Sequence, residues 1–334
     1  MLRIPYDELH DTLRCVLLKT GFPADRADRC ARLFADTDRD GVYSHGLNRF
    51  PRFMETIRRG VVDIHAQPER IAAFGAIERW DGRSGPGNLN AQQCMDRAIA
   101  LSREHGIGCI ALRNTNHWMR GGSYGWQAAD AGVVGICWTN TMQNLPPWGA
   151  KEARIGNNPL IIAVPRSDGH VVLDIAMSQF SYGALAKYRM LGEELPVDGG
   201  FDSEGNLTRD PAAIEASQRP LPIGYWKGSG LSIMLDLVAA LLSDGKATSE
   251  IVPDPLSETA LSQVFIAINI DQLMDQARAD QVADAIVEHV KTAAPVEAGG
   301  DVRYPGEGTL CTREENLRLG IPVDAKVWDA VRAM

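Results

Sequence analysis

Sulfur chemistry, membrane passage and nucleic-acid binding all lack the residues they need in this chain. The six cysteines, at 15, 30, 94, 109, 137 and 311, include no Cys-x-x-Cys pair, so neither a zinc site nor a disulfide framework is encoded and reduced thiols are expected. The seven histidines show no pair at metal-ligand spacing. No apolar run reaches the ~18 residues that a membrane helix needs. Met1-Leu2-Arg3-Ile4-Pro5-Tyr6-Asp7 lacks the apolar core and cleavage site of a signal peptide. Basic residues are outnumbered, 34 Lys and Arg against 43 Asp and Glu, and the net charge of −9 speaks against a phosphate backbone as partner. The expectation is a cytoplasmic protein with no nucleic-acid, membrane or metal partner, in which a local basic patch can still hold one small anion. Gly-x-Gly-x-x-Gly is missing too: Gly85-Pro86-Gly87 has Asn90 in the third glycine's place, and Gly228-Ser229-Gly230 has Ile233. A dinucleotide, if bound, does not sit on an ordinary Rossmann turn.

What is present is an ordinary globular balance, 45% hydrophobic and 23% charged. The 334 residues exceed what one core usually organises, so two domains are expected. Leu9, Leu13, Val16 and Leu17 recur at helical spacing over 6–20, and a second helix is expected over 23–34. Short strands are expected at 71–74 and 76–80, then a helix capped by Asn90 and closed by Gly106. Strands at 107–112, 133–139, 160–164 and 171–175 follow, with a helix over 178–191. Residues 192–224 read as one long loop, of a kind that is usually functional or wraps a neighbour. The helix over 231–242 is apolar all round and is expected at the centre of the core. A strand at 262–270, an amphipathic helix at 271–293 and two short terminal helices, the last capped by Asp324, complete the reading.

Gly41-Val42-Tyr43-Ser44-His45-Gly46-Leu47-Asn48-Arg49 carries the first candidate site. Ser44 can cap a helix, which would put His45 and Arg49 on one face. There an imidazole can pass a proton while a guanidinium grips a carboxylate with two parallel hydrogen bonds, a pairing suited to reduction of a 2-keto acid. Pro51 interrupts that helix or restarts it. Taken alone, the pair also fits a packed histidine beside a solvated arginine. The second candidate is Asn114-Thr115-Asn116-His117-Trp118-Met119-Arg120-Gly121-Gly122-Ser123-Tyr124-Gly125, polar groups delivered at a strand's carboxyl end, where ligand pockets are commonly built. Its Gly-x-Ser-x-Gly match lacks the strand-to-serine turn of a hydrolase elbow. Lys227 before a helix N-terminus can meet phosphate, and Glu307 between Gly306 and Gly308 can accept from a ribose hydroxyl. Each has an equally ordinary surface role.

Together these stretches are more specific than any alone. Ser44-His45-Gly46-x-x-Arg49, Asn116-His117-Trp118 with Gly122 and Tyr124, Pro147-Trp148-Gly149, Asn158-Pro159 and Gly224-x-x-Lys227-Gly228 resemble, in order and spacing, the malate/L-lactate/ureidoglycolate/sulfolactate dehydrogenase family, which is distinct from the Rossmann lactate and malate dehydrogenases. Leu195-Pro196-Val197-Asp198-Gly199-Gly200-Phe201-Asp202 and Gly224-Tyr225-Trp226-Lys227-Gly228-Ser229-Gly230 are most similar to its members that reduce a diketo sugar acid.

The resemblance implies an α/β fold: a mixed-sheet, non-Rossmann nicotinamide-binding domain over 121–299, and a mainly helical domain over 1–120 joined by 300–334. It implies a homodimer using NADH, with NADPH as the alternative, and a small 2-keto or 2-hydroxy acid as substrate. His45 matches the family's proton donor, Arg49 would hold the carboxylate, and His117 would orient the nicotinamide or the carbonyl. Cofactor contacts map onto Asn140, onto His170, Val171, Val172, Leu173, Asp174, Ile175 and Ala176, onto Trp226 and Lys227, and onto Gly306, Glu307 and Gly308. A dehydrogenase for malate, lactate or ureidoglycolate is the nearest alternative, since donor and clamp are generic. A catalytically silent ligand-binding protein is the remote one.

Overall fold

The computed structural model describes residues 2–297 and 299–334. In chain order the elements are β1 (Leu2–Ile4), α1 (Tyr6–Lys19), α2 (Ala24–Arg39), a 3-10 turn (Leu47–Arg49), α3 (Phe50–Arg58), β2 (Glu69–Phe74), β3 (Ile77–Asp81), α4 (Gly87–His105), β4 (Ile107–Asn116), α5 (Gly122–Asp130) and β5 (Val134–Thr139). Then come β6 (Leu160–Val164), β7 (Val171–Ile175), α6 (Tyr182–Leu191), β8 (Gly200–Phe201), β9 (Leu207–Thr208), α7 (Pro211–Ser217), α8 (Trp226–Ser243), β10 (Thr259–Ile268), α9 (Gln276–Lys291), α10 (Glu307–Leu319), β11 (Ile321–Val323) and α11 (Ala325–Arg332).

Seven strands form one mixed sheet in the order β2-β3-β4-β10-β5-β6-β7. β3 and β4 run parallel, and every other neighbouring pair is antiparallel. Register places Thr259 opposite Asn116, Gln263 opposite Thr139, and Leu160 opposite both Trp138 and Ile175. One end of the sheet therefore gathers the carboxyl ends of β4, β5 and β7 with the amino ends of β6 and β10. Backbone polar groups left unpaired where strands stop make such an end a natural place for ligands.

Apolar side chains divide into a helical core and the two faces of the sheet. Leu9, Leu13, Leu17, Phe34, Phe50, Phe53 and Trp328 are buried together, with Ile4 and Ile321 among them. The terminal lobe is thus built from both ends of the chain, and β1 pairs antiparallel with β11 to tie them. Under α4 and α5 the sheet buries Met95, Ala98, Ile110, Leu112, Trp118, Tyr124 and Phe265. Under α8 it buries Trp138, Leu145, Leu235 and Val264.

The mixed sheet and the two-ended helical lobe agree with expectation, and several boundaries do not. Residues 69–116, expected in the helical domain, supply three of the seven strands, so the hydrogen bonding does not divide the chain at residue 120. α2 runs five residues past Phe34 because Ala35, Thr37 and Asp38 are buried. Asn90 is not a cap: α4 begins at Gly87, and the Asn90 side chain donates inward to Gly82 O at 2.9 Å and Thr115 Oγ1 at 3.0 Å. The long loop over 192–224 folds into a small lobe, with the β8–β9 hairpin and α7 packed on α6 through Leu185, Leu195 and Ile214.

α8 differs most. It turns its small residues, Gly228, Ser229, Ser232 and Ala239, toward the sheet and leaves Met234 55%, Leu237 49% and Leu241 73% exposed. Over 18 residues its mean hydropathy of 1.2 meets the length and composition of a membrane span, against the expectation that no stretch does. The helix instead lies on the sheet, taking the Trp138 indole N–H on Leu235 O at 3.0 Å and an Asn158 amide hydrogen on Ser232 O at 3.0 Å.

Candidate active site

His45 reaches the sheet's end from the connection between α2 and α3. Ser44 does not cap a helix there. Its hydroxyl lies 2.8 Å from His45 Nδ1, and Asp38 takes over the organising role by accepting the Leu47 N–H at 2.6 Å. Gly46 makes that possible, because a Cβ on it would stand 2.1 Å from Asp38 Oδ1. α3 starts at Phe50 with Pro51 in its first turn, where a missing N–H costs nothing. His45 and Arg49 are thus presented by a turn rather than by one continuous helix face. On the far side α6 closes in, and a Cβ on Gly183 would approach Ser44 Cβ to 2.7 Å.

His117 arrives one residue beyond β4 and stacks on His45, with ring centroids 5.8 Å apart and planes 21° from parallel. Its Nδ1 accepts the Met119 N–H at 3.0 Å. The neutral ring therefore carries its proton on Nε2, as a donor toward the site. The chain then turns through a left-handed Met119, φ 65°. Desolvation lowers the His45 pKa to about 4, and the Arg49, Arg120 and Arg52 charges act in the same direction. Burial, with Arg49 and His45 next, holds His117 well below the usual histidine range. Both rings are neutral at pH 7 without a ligand.

Arg49 is the unusual group. Among the described residues no carboxylate lies within ion-pairing distance of it and its guanidinium makes no hydrogen bond, while desolvation first, and Arg52 next, lower its pKa to about 10. It lines a recess of about 20 Å³ with Arg52, Asn116, His117, Met119 and Glu258. A half-buried guanidinium with no partner among the described residues costs free energy until an anion arrives. Arg52 and Glu258 had no sequence signal beyond the three-residue spacing of Arg52 from Arg49. Glu258 stands alone in the loop before β10.

The cofactor candidates separate into two groups. Val171–Ile175 form β7, the sheet's edge strand, and Val172 N–H donates to Pro305 O at 2.9 Å. The Gly306 backbone lies against it with φ 97°, and a Cβ there would meet Val172 N at 3.0 Å. Past the end of β7, Ile223 N–H donates to Met177 O, which brings the amino end of α8 with exposed Trp226 and Lys227 to the same edge. Lys227 Nζ sits 5.4 Å from the Trp226 ring. Glu307 pairs with Lys291 through one oxygen, and its buried Oε2 has no partner. A strip of edge backbone, a free lysine and an unpartnered acceptor suit a dinucleotide.

Two candidates are occupied structurally. Asn140 is fully buried and gives both amide hydrogens away, to Asp236 Oδ1 at 2.9 Å and Lys246 O at 2.8 Å, while its oxygen accepts the Ser262 N–H. No amide hydrogen remains for a cofactor. His170 is similarly committed, to the Arg166 N–H at 3.1 Å and Asp130 at 3.0 Å. Asp174 accepts the Gly122 N–H at 2.9 Å. Ser123 lies in the first turn of α5 and forms no nucleophile elbow.

Behind His45, Asp40 binds Arg120 at 2.6 Å, Arg313 at 2.7 Å and Arg39 at 2.8 Å. This knot joins α2, the segment after His117 and α10.

Comparisons with known proteins identify the family. Residues 4–332 match the family model described as malate/L-lactate dehydrogenase. The chain belongs to that family. It is therefore an oxidoreductase acting on a CH–OH group with a pyridine nucleotide. A Citrobacter koseri protein named 2,3-diketo-L-gulonate reductase is 51% identical over 333 residues, covering all of both chains. Among solved structures, sulfolactate dehydrogenase from Methanocaldococcus jannaschii superposes with a TM-score of 0.91 at 26% identity, over 99% of this chain and 95% of that one. Malate dehydrogenase from Pyrococcus horikoshii gives 0.89 at 28% identity, over 98% and 93%.

Proposed function

We propose that this enzyme reduces the C2 ketone of 2,3-diketo-L-gulonate to the hydroxyl of 3-dehydro-L-gulonate with NADH, NADPH being the alternative donor. The carrying observation is the partnerless Arg49 guanidinium beside the stacked His45 and His117 rings. It supplies one cation for a substrate carboxylate and two imidazoles for the adjacent carbonyl. The choice of sugar acid rests on the full-length likeness to the Citrobacter koseri reductase.

In this reading Arg49 takes the C1 carboxylate in a two-pronged hydrogen bond, and the His117 Nε2–H orients the C2 carbonyl. A reduced nicotinamide, when bound, supplies the hydride that reaches C2. His45 gives its proton to the oxygen as negative charge develops there. Its low pKa of about 4 in the free enzyme is part of the device. The arriving carboxylate offsets the repulsion from Arg49 and brings a negative charge beside the ring, so the imidazole gains a proton more readily in the complex. The backbone over 171–176 and 306–308, with Trp226, Lys227 and the free oxygen of Glu307, would hold the dinucleotide.

We also infer a homodimer. Met234, Leu237 and Leu241 form an apolar stripe on α8 that a second copy can cover, and uncovered stripes of that kind mark association surfaces. The deciding experiment is steady-state NADH and NADPH oxidation with 2,3-diketo-L-gulonate, pyruvate, oxaloacetate and oxalurate. The highest kcat/KM is expected with the first, and a loss of at least 10²-fold in His45→Gln, the scale of general acid catalysis. A His45→Gln rate within a few-fold of the parent would refute the donor role.

A further inference from the structure

The recess beside Arg49 has a second acidic and basic pair that the reduction itself does not use. Glu258 is 8% exposed. One of its oxygens accepts the Met142 N–H at 3.2 Å, and the other has no hydrogen-bond partner among the described residues. Arg52 donates through Nε to Pro255 O at 3.2 Å and forms no ion pair with Glu258. Two guanidiniums and one carboxylate thus line the recess; burial raises the pKa of that carboxyl, and the Met142 N–H with the Arg49 and Arg52 charges draws it back toward the ionised form. With His45 and His117 neutral in the free enzyme the excess is one positive charge, and the proton that His45 takes up in the complex goes to the developing alkoxide, so it leaves none over for a second carboxylate. Asp254, the other carboxylate near Arg52, is held by the Leu256 N–H at 3.0 Å and the Ser257 hydroxyl at 2.8 Å. It is partly solvated, so its charge is screened.

We propose that Glu258 makes this site selective for singly charged 2-keto acids with a hydroxylated tail and against dicarboxylates. The inference rests on Arg49 holding the substrate's first carboxylate. One carboxylate matches the single positive excess. A second leaves an uncompensated negative charge in a desolvated recess, where charge–charge repulsion is strong. The hydrogen-bond complement points the same way. A carboxylate is an acceptor only, so the free Glu258 oxygen can receive a hydroxyl donor from a sugar-acid tail and has nothing to offer another carboxylate. Discrimination of this kind works through a repulsive element as much as an attractive one.

Oxaloacetate and pyruvate differ by one carboxylate, as do L-malate and L-lactate, so these pairs isolate the charge from the identity of the sugar acid. Glu258→Gln keeps an acceptor for the Met142 N–H and removes the charge. We expect the ratio of kcat/KM for oxaloacetate to that for pyruvate to rise at least fivefold in Glu258→Gln. Titration of L-malate and L-lactate into NAD⁺-saturated enzyme is expected to show the same shift in relative affinity, and it decides the matter if neither short acid turns over. Glu258→Asp, which keeps the charge, should stay near the parent ratio. A change below fivefold in Glu258→Gln overturns the proposal. Failure to reduce 2,3-diketo-L-gulonate with the ratio still shifted would instead refute the substrate reading alone.

Discussion

Replacing Arg49 by methionine removes a charge while keeping much of the side-chain length, and its cost can be worked from the site. A carboxylate about 4 Å from a guanidinium, at an effective dielectric of about 20, gains about 4 kcal/mol. At about 1.4 kcal/mol per tenfold, Arg49→Met should lose about 10³ in kcat/KM for the keto acid. The pH dependence carries a second, independent signature. Reduction needs the protonated His45, so kcat/KM, which reports the free enzyme, falls as pH rises through a pKa of about 4. Arg49 disfavours that protonation after desolvation does. Its removal stabilises the imidazolium and moves the limb to higher pH. In the parent, kcat should show its limb at higher pH than kcat/KM, because the bound carboxylate does what losing Arg49 does. Stopped-flow NADH oxidation between pH 4 and pH 9, spanning the usual histidine range, reads both. A loss below about tenfold, or a limb that stays or moves downward, would refute the assignment of Arg49 as clamp and of His45 as its neighbour in charge.

Two further outcomes follow from the surrounding structure. Burial alone would raise the Asp40 pKa, but hydrogen bonds from Arg313 and Arg39 and the charge of Arg120 hold it at about 2, below the unfolded value of 3.8. This contribution, about 2 kcal/mol, is present above the unfolded pKa and lost as pH falls toward 2. Asp40→Asn should lower the unfolding free energy at pH 7 by about 3 kcal/mol, since three guanidiniums lose their counterion, read as a lower urea midpoint whose gap to the parent narrows in acid; an equal midpoint at pH 7 counts against the knot. Leu237→Glu should convert a dimer into a monomer in sedimentation velocity, and a monomeric parent at micromolar concentration would end the proposal for α8.

How much of this was legible depended on whether local or distant residues decided each feature. β6 and β7 stand where their short, largely apolar runs put them, because such runs bounded by turn residues signal a strand locally. Gly106 and Asp324 end and start helices as expected, each acting within its own turn. Ser44 failed as a cap because Asp38, six residues upstream, supplies the carboxylate that the Leu47 amide uses. Asn90 failed because Gly82 and Thr115 capture its amide. α8 was misread because hydropathy reports an apolar helix without saying whether its own sheet or another surface covers the stripe. His45, Arg49 and His117 were singled out from motif and chemistry, and the structure places the His45 ring on His117 and His117 with Arg49 in one recess. Glu258 was invisible, since only the register of β10 on β4 carries the loop before it to that end of the sheet.

The ribbon formed by Leu2–Ile4 with Ile321–Val323 also has a bearing on how the polypeptide is made. Helices α1 to α3 are made before the sheet, yet their hydrophobic faces wait for Trp328 and Val331, which are made after it. The strand-bearing middle can mature while these early helices remain unpacked. Because Arg313 must reach Asp40, the site is not assembled until α10 has been made, and nascent chains halted before residue 313 should be inert.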